Sequence, residues 1–114
     1  MNEINDVLED YNNYLECVPK GTVQIAEQLR EDNMQEAFSA IKDFSEGVLW
    51  LSQASDFLKC NGAHVELDIL KIQEFLVQVN EGLEKQDYVL VADMFEYEIA
   101  PFFKEVKSAK GIHQ

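Results

Sequence analysis

The residues closest to chemistry are two pairs of carboxylates. Glu27 and Glu31 lie one helical turn apart, and so do Asp93 and Glu96. Facing each other, the pairs could hold a magnesium ion, as an all-helical magnesium-dependent nucleotide hydrolase would require. No Lys, Arg or Asn cluster accompanies them to hold phosphates. Glu27 borders an apolar stripe and Asp93 and Glu96 flank another, so a solvated acidic face is the plainer reading.

Other chemistries find less support. Di-iron carboxylate bundles use Glu-x-x-His pairs on two helices. This chain has two histidines, His64 and His113, and neither has a Glu three residues before it. His64 is followed by Val-Glu-Leu-Asp, poor surroundings for receiving a phosphoryl group, and is expected at a surface or a helix start. No Gly-rich phosphate loop, Ser/His/Asp order or Cys/His pairing stands out. Cys17 and Cys60 are too far apart for a C-x-x-C redox or zinc motif and are expected as reduced thiols. A disulfide between them would need a fold that juxtaposes them. The expectation is a non-enzyme with no metal and no cofactor.

Charge narrows the partners. Twenty-two acids against nine bases give a net charge of −13 over 114 residues. Such a chain repels nucleic acid and anionic membrane surfaces and suits a basic protein partner, although solubility alone also explains the excess. No run approaches the ~18 apolar residues of a membrane span. The start, MNEINDVLED, is acidic where a secretory signal would be basic and then apolar, so a cytoplasmic location is expected.

Four apolar stripes must position everything above. Ile4, Leu8, Tyr11, Leu15 and Val18 follow a 4-3 spacing, and Thr22, Ile25 and Leu29 continue it in phase. Pro19 lacks a backbone donor, which predicts a kink or break near Pro19-Gly21 in a helix over roughly 3–31. Asn33 with Glu36 reads as a capping pair. The second stripe is Ala37, Ile41, Phe44, Val48, Leu51, Ser55 and Leu58, in a helix over 34–60 that stops at Asn61-Gly62. Gly47 costs about 1 kcal/mol relative to Ala in that helix, and its small size suits a close helix contact. Val65, Ile69, Ile72, Leu76, Val79 and Leu83 form the third stripe, in a helix over 64–85. Asp87 then caps a helix over 88–109 whose inward face is Tyr88, Ala92, Phe95, Ile99, Phe102, Val106 and Ala109. Lys104, Lys107 and Lys110 gather at its C-terminal end, and Gly111 onward reads as a frayed tail.

Short turns make neighbouring helices antiparallel. The expected architecture is all-α, a single domain folded as an antiparallel up-down four-helix bundle.

Two helices carry more apolar surface than one seam needs. Leu90, Met94, Tyr97 and Pro101 lie about 200° from the inward face of the fourth helix, at roughly 100° per residue. Trp50 and Phe57 lie opposite the Phe44–Leu51 stripe of the second. Either the bundle covers these residues or they form a partner-binding patch. The stretch from Asp87 to Pro101, DYVLVADMFEYEIAP, also resembles the closing helix of small bacterial helical proteins of flagellar gene neighbourhoods. The acidic, all-helical plan is similar to flagellar export chaperones, which implies a chaperone or adaptor that holds an amphipathic client segment. The sequence therefore predicts protein binding by helix-in-groove docking on Leu90, Met94 and Tyr97, with Pro101, Trp50 and Phe57 beside them. A homodimeric structural or regulatory bundle is the alternative.

Overall fold

The computed structural model describes residues 3–111. His113 and the expected frayed end from residue 112 lie outside the described residues.

Helix α1 (Glu3–Arg30) runs through Pro19 as one continuous element, the unbroken one of the two forms expected. The reason is tertiary. Tyr11, Leu15 and Val18 before the proline and Thr22, Ile25 and Leu29 after it are all buried along one stripe. Packing on both sides outweighs the single donor that Pro19 lacks. Thr22 is buried as well, and its hydroxyl donates to the Pro19 carbonyl at 2.8 Å.

Helix α2 (Met34–Cys60) buries the predicted stripe with Ala54 added. Its start differs from expectation. Asn33 makes no side-chain cap, and its amide nitrogen instead lies 3.5 Å from the Glu31 carboxylate. The predicted stop is present. Gly62 adopts φ 87°, and the Ala63 N–H donates back to Leu58 O at 2.9 Å.

Residues 63–68 are not helical, contrary to the helix expected from 64. They run as an extended link in which His64 and Lys110 exchange backbone hydrogen bonds at 2.8 and 2.9 Å. Ala63 and Leu67 are buried from this link. Helix α3 (Ile69–Glu84) begins only after Asp68, whose carboxylate accepts from Lys71 N at 3.2 Å. Its buried line is Ile72, Phe75, Val79 and Gly82, rotated from the predicted stripe toward Phe75.

The fourth helix, α4, has three consecutive parts: an α-helix Tyr88–Met94, a π-helical turn Phe95–Ile99 and an α-helix Ala100–Glu105. Asp87 caps it as expected, accepting from Leu90 N at 3.2 Å. In the π turn the Ala100 N–H reaches Phe95 O, five residues back. The extra residue advances the phase, so Phe103 is buried deeply and Phe102 only partly. The helix ends at Glu105 rather than 109. Residues 106–110 form an extended strap that returns Ala109 to the core.

The four helices pack as an all-α bundle 50 × 22 × 20 Å in extent. Helix α1 lies against α2 and α4, and α3 packs chiefly on α4. Helix α4 is therefore covered on two sides. At the centre, Phe44 meets Phe95 and Phe103 edge-on, with ring centroids 5.3 and 6.3 Å apart.

Candidate functional site: two grooves beside the first helix

The six residues predicted to bind a partner do not converge. Met94 is 2% exposed and belongs to the core, which corrects its assignment as an anchor. Of the second apolar face of α4 only Met94 is covered, where α3 packs close on α4. A Cβ on Gly82 of α3 would lie 2.7 Å from Val91, and only the missing side chain allows that approach. Phe57 is likewise half-buried and packed on the core. Leu90 is partly exposed beside Gly82, while Pro101 and Tyr97 face outward. Trp50 rests edge-on against Tyr14, with centroids 6.2 Å apart. Tyr97 lies under the Arg30 guanidinium at 5.8 Å. Tyr14 and Arg30 are separated by about 24 Å along α1, so Trp50 and Tyr97 occupy distant parts of the surface.

The carboxylate pairs also separate. Arg30 bonds to Asp93 at 2.8 Å and to Glu96 beside it, a fork that joins α1 to α4. These contacts raise the guanidinium pKa further, Asp93 contributing most. Glu27 faces a groove and Glu31 approaches Asn33. Among the described residues, no three His, Cys, Asp or Glu side chains gather closely enough to hold a metal ion. Cys17 and Cys60 are free, exposed thiols.

Of the predicted residues, Leu90 and Met94 line a hollow of about 380 Å³ between α3 and α4, with Gly82, Lys85 and Glu98 around it. Two larger grooves lie beside α1. Between α1 and α4 runs a groove of about 700 Å³, floored by Leu15, Pro19, Val23, Phe103 and Val106. Its charged rim is balanced, with Glu16 and Glu27 against Lys20 and Lys104. Between α1 and α2 runs a second groove of about 560 Å³, with Val18, Ile25, Ala40 and Phe44 among its lining. Here the charged residues are Asp43 and Glu46 alone.

Two glycines shape this second groove. Gly47 lets α2 approach the Tyr14 ring, because a Cβ there would overlap the phenol hydroxyl. The predicted close contact is therefore real. Gly21 is the opposite case, since a Cβ there would meet nothing within 4 Å. Burial raises the Tyr14 pKa most, and nearby Asp43 and Cys17 add to the shift, so the ring stays a neutral phenol at the groove's end. Gln28 lines the groove too, and among the described residues its buried Oε1 has no hydrogen-bond partner.

Sequence reasoning missed Gln28 and the groove itself. Gly21 and Gly47 carried the available signal, as glycines within helices whose neighbours follow the core spacing.

Fold and surface together define a helical bundle with an acid-rich exterior and open grooves beside its first helix. Residues 6–109 match the family described as Domain of unknown function (DUF8042), and the chain belongs to that family. No curated protein and no solved structure matches it.

Proposed function

We propose that this chain is a non-catalytic, protein-binding bundle of the cytoplasm, chaperone- or adaptor-like, that docks a segment of another protein. One observation carries the reading: the α1–α2 groove sets Val18, Ile25, Ala40 and Phe44 among the polar side chains of Thr22, Gln24 and Gln28, and the charged residues of its lining are Asp43 and Glu46. Ligand sites of this size are typically apolar with a few placed polar groups. The resemblance of the fourth helix to proteins of flagellar gene neighbourhoods points toward the same kind of role.

The test is recovery of the chain from its native cells after mild cross-linking, followed by rebinding from purified components. A stoichiometric partner that rebinds supports the reading. A chain that runs as an uncross-linked monomer at its native concentration refutes it.

Self-association is a second reading, favoured by α3. Leu70 and Val77 lie seven residues apart on one face and are 72% and 56% exposed. Light scattering across a dilution series would show a dimer that Val77→Asp dissolves.

A further inference from the structure

We infer that the α1–α2 groove receives a basic amphipathic helix, whose apolar residues enter beside Gly21 and whose Lys or Arg donates to Gln28 Oε1. This rests on the protein-binding reading above and names the partner's chemistry.

Length comes first. The groove's lining on α1 runs from Tyr14 to Gln28, about 21 Å at 1.5 Å per residue, which matches a guest helix of about 14 residues. Its entrance is clear at Gly21, where nothing lies within 4 Å of a would-be Cβ. A host that needed only its own stability would gain from Ala at that position. One end is walled by Tyr14.

Charge selects the guest. Asp43 and Glu46 border the groove with no base among its lining residues, on a chain of net charge −13. A second copy of this chain would bring like charge to an acid-bordered groove, whereas a basic segment is attracted. Gln28 supplies a specific contact. Among the described residues its Oε1 has no hydrogen-bond partner, and a donor on the guest would satisfy it. The terminal amide torsion is soft, so the oxygen can turn to meet an ammonium or guanidinium entering the groove.

The chain contains its own reporters. Cys17 lines the groove, and Cys60 ends α2 well beyond it, both as exposed free thiols. The probe is a peptide of about 14 residues, leucine at helical spacing with lysine elsewhere, matched to a second peptide with glutamate replacing lysine. Alkylation of each thiol is followed by mass spectrometry at physiological salt. With lysine peptide at ten times its Kd, Cys17 should react about tenfold more slowly, because only free protein reacts. Cys60 should be unaffected, and the glutamate peptide should protect neither thiol. Gly21→Leu, verified as folded by circular dichroism, should remove the protection by filling the groove without changing net charge. Gln28→Leu should raise Tm while weakening the lysine peptide.

Equal protection of both thiols, protection by the glutamate peptide, or protection retained in Gly21→Leu would each overturn the assignment. A lysine peptide that protects neither thiol also overturns it. If a cellular partner still rebinds in that case, the protein-binding reading survives and its surface lies elsewhere; if none does, both readings fall.

Discussion

Asn12 and Ala109 hold each other through both backbone-type bonds although 97 residues separate them. The Asn12 amide nitrogen donates to Ala109 O at 3.0 Å, and Ala109 N donates to Asn12 Oδ1 at 2.8 Å. One side chain on α1 thus stands in for a strand partner and clips the extended strap to the bundle. Asn12→Ala should cost about 1–3 kcal/mol, because it strands partly buried backbone groups. The expected loss is roughly 4–8 °C in Tm per kcal/mol for a domain near 100 residues. Amide exchange at Ala109 should accelerate in step. Unchanged exchange there would mean that the clip contributes nothing.

The same substitution should have opposite signs at two glycines. Gly21→Ala enters open space and should stabilise by about 1 kcal/mol through helix propensity. Gly47→Ala collides with the Tyr14 ring and should destabilise by about 1–3 kcal/mol despite the same propensity gain. Denaturant midpoints of the two variants decide the matter, and Tyr14→Ala in the Gly47→Ala background should recover part of the loss.

Met94→Asp should unfold the chain rather than merely silence a binding face. An uncompensated carboxylate at a 2% exposed position costs more than about 4 kcal/mol, comparable to the whole stability of a small domain. Tyr97→Ala, at 65% exposure, should lose only the cation–π contact with Arg30, about 0.5–1 kcal/mol. Circular dichroism of the two variants would expose an error if Met94→Asp remained folded.

Alkaline pH should loosen the bundle through its tyrosines. Tyr11 is raised above 10.0 by burial, partly offset by its contact with Ser55, and Tyr14 is raised chiefly by burial. Folding therefore favours the neutral phenols. Their contribution is complete below the unfolded value near 10 and is lost as pH rises through the folded values. Phenolate absorbance of the native protein should lag behind that of the urea-unfolded chain. Tyr11→Phe should flatten the alkaline fall in stability, and an unaltered fall would sink the assignment.

Glu66 predicts an effect at the acid end. The hydrogen bond from His64 lowers its carboxyl below 4.5. The associated stability is present above that unfolded value and disappears as pH falls through the lowered one. A small acid-side change that vanishes in Glu66→Gln is the expected result, measured by thermal melts between the two limits.

Helices α1 and α2 were legible in the sequence because their apolar spacing is unbroken and both are long. The same rule misled at residues 63–68 and 106–110. Val65, Val106 and Ala109 fall at helical intervals, yet those segments are extended, and the deciding contacts were the distant pairings of His64 with Lys110 and Asn12 with Ala109. Phe102 was read as inward and Phe103 was not, since no spacing announces the extra residue of the π turn. The candidate site was legible only in fragments. Gly47 stood out, but a groove exists through the alignment of two helices, and the setting of the Gln28 oxygen exists only once its surroundings close.

The position of α4 against α1 also sets the order of assembly. Helix α1 meets α2 early, but its other neighbour spans residues 88–105 and its clip waits for Ala109. During synthesis, the apolar stripe from Tyr11 to Leu29 must therefore remain half-covered until nearly all of this sequence has emerged. Closure depends on contacts distant in sequence, which slows folding relative to a bundle built from adjacent pairs alone. A ribosome-bound chain stopped before residue 88 should expose that stripe to chaperones and proteases, while one extended past residue 110 and clear of the exit tunnel should conceal it.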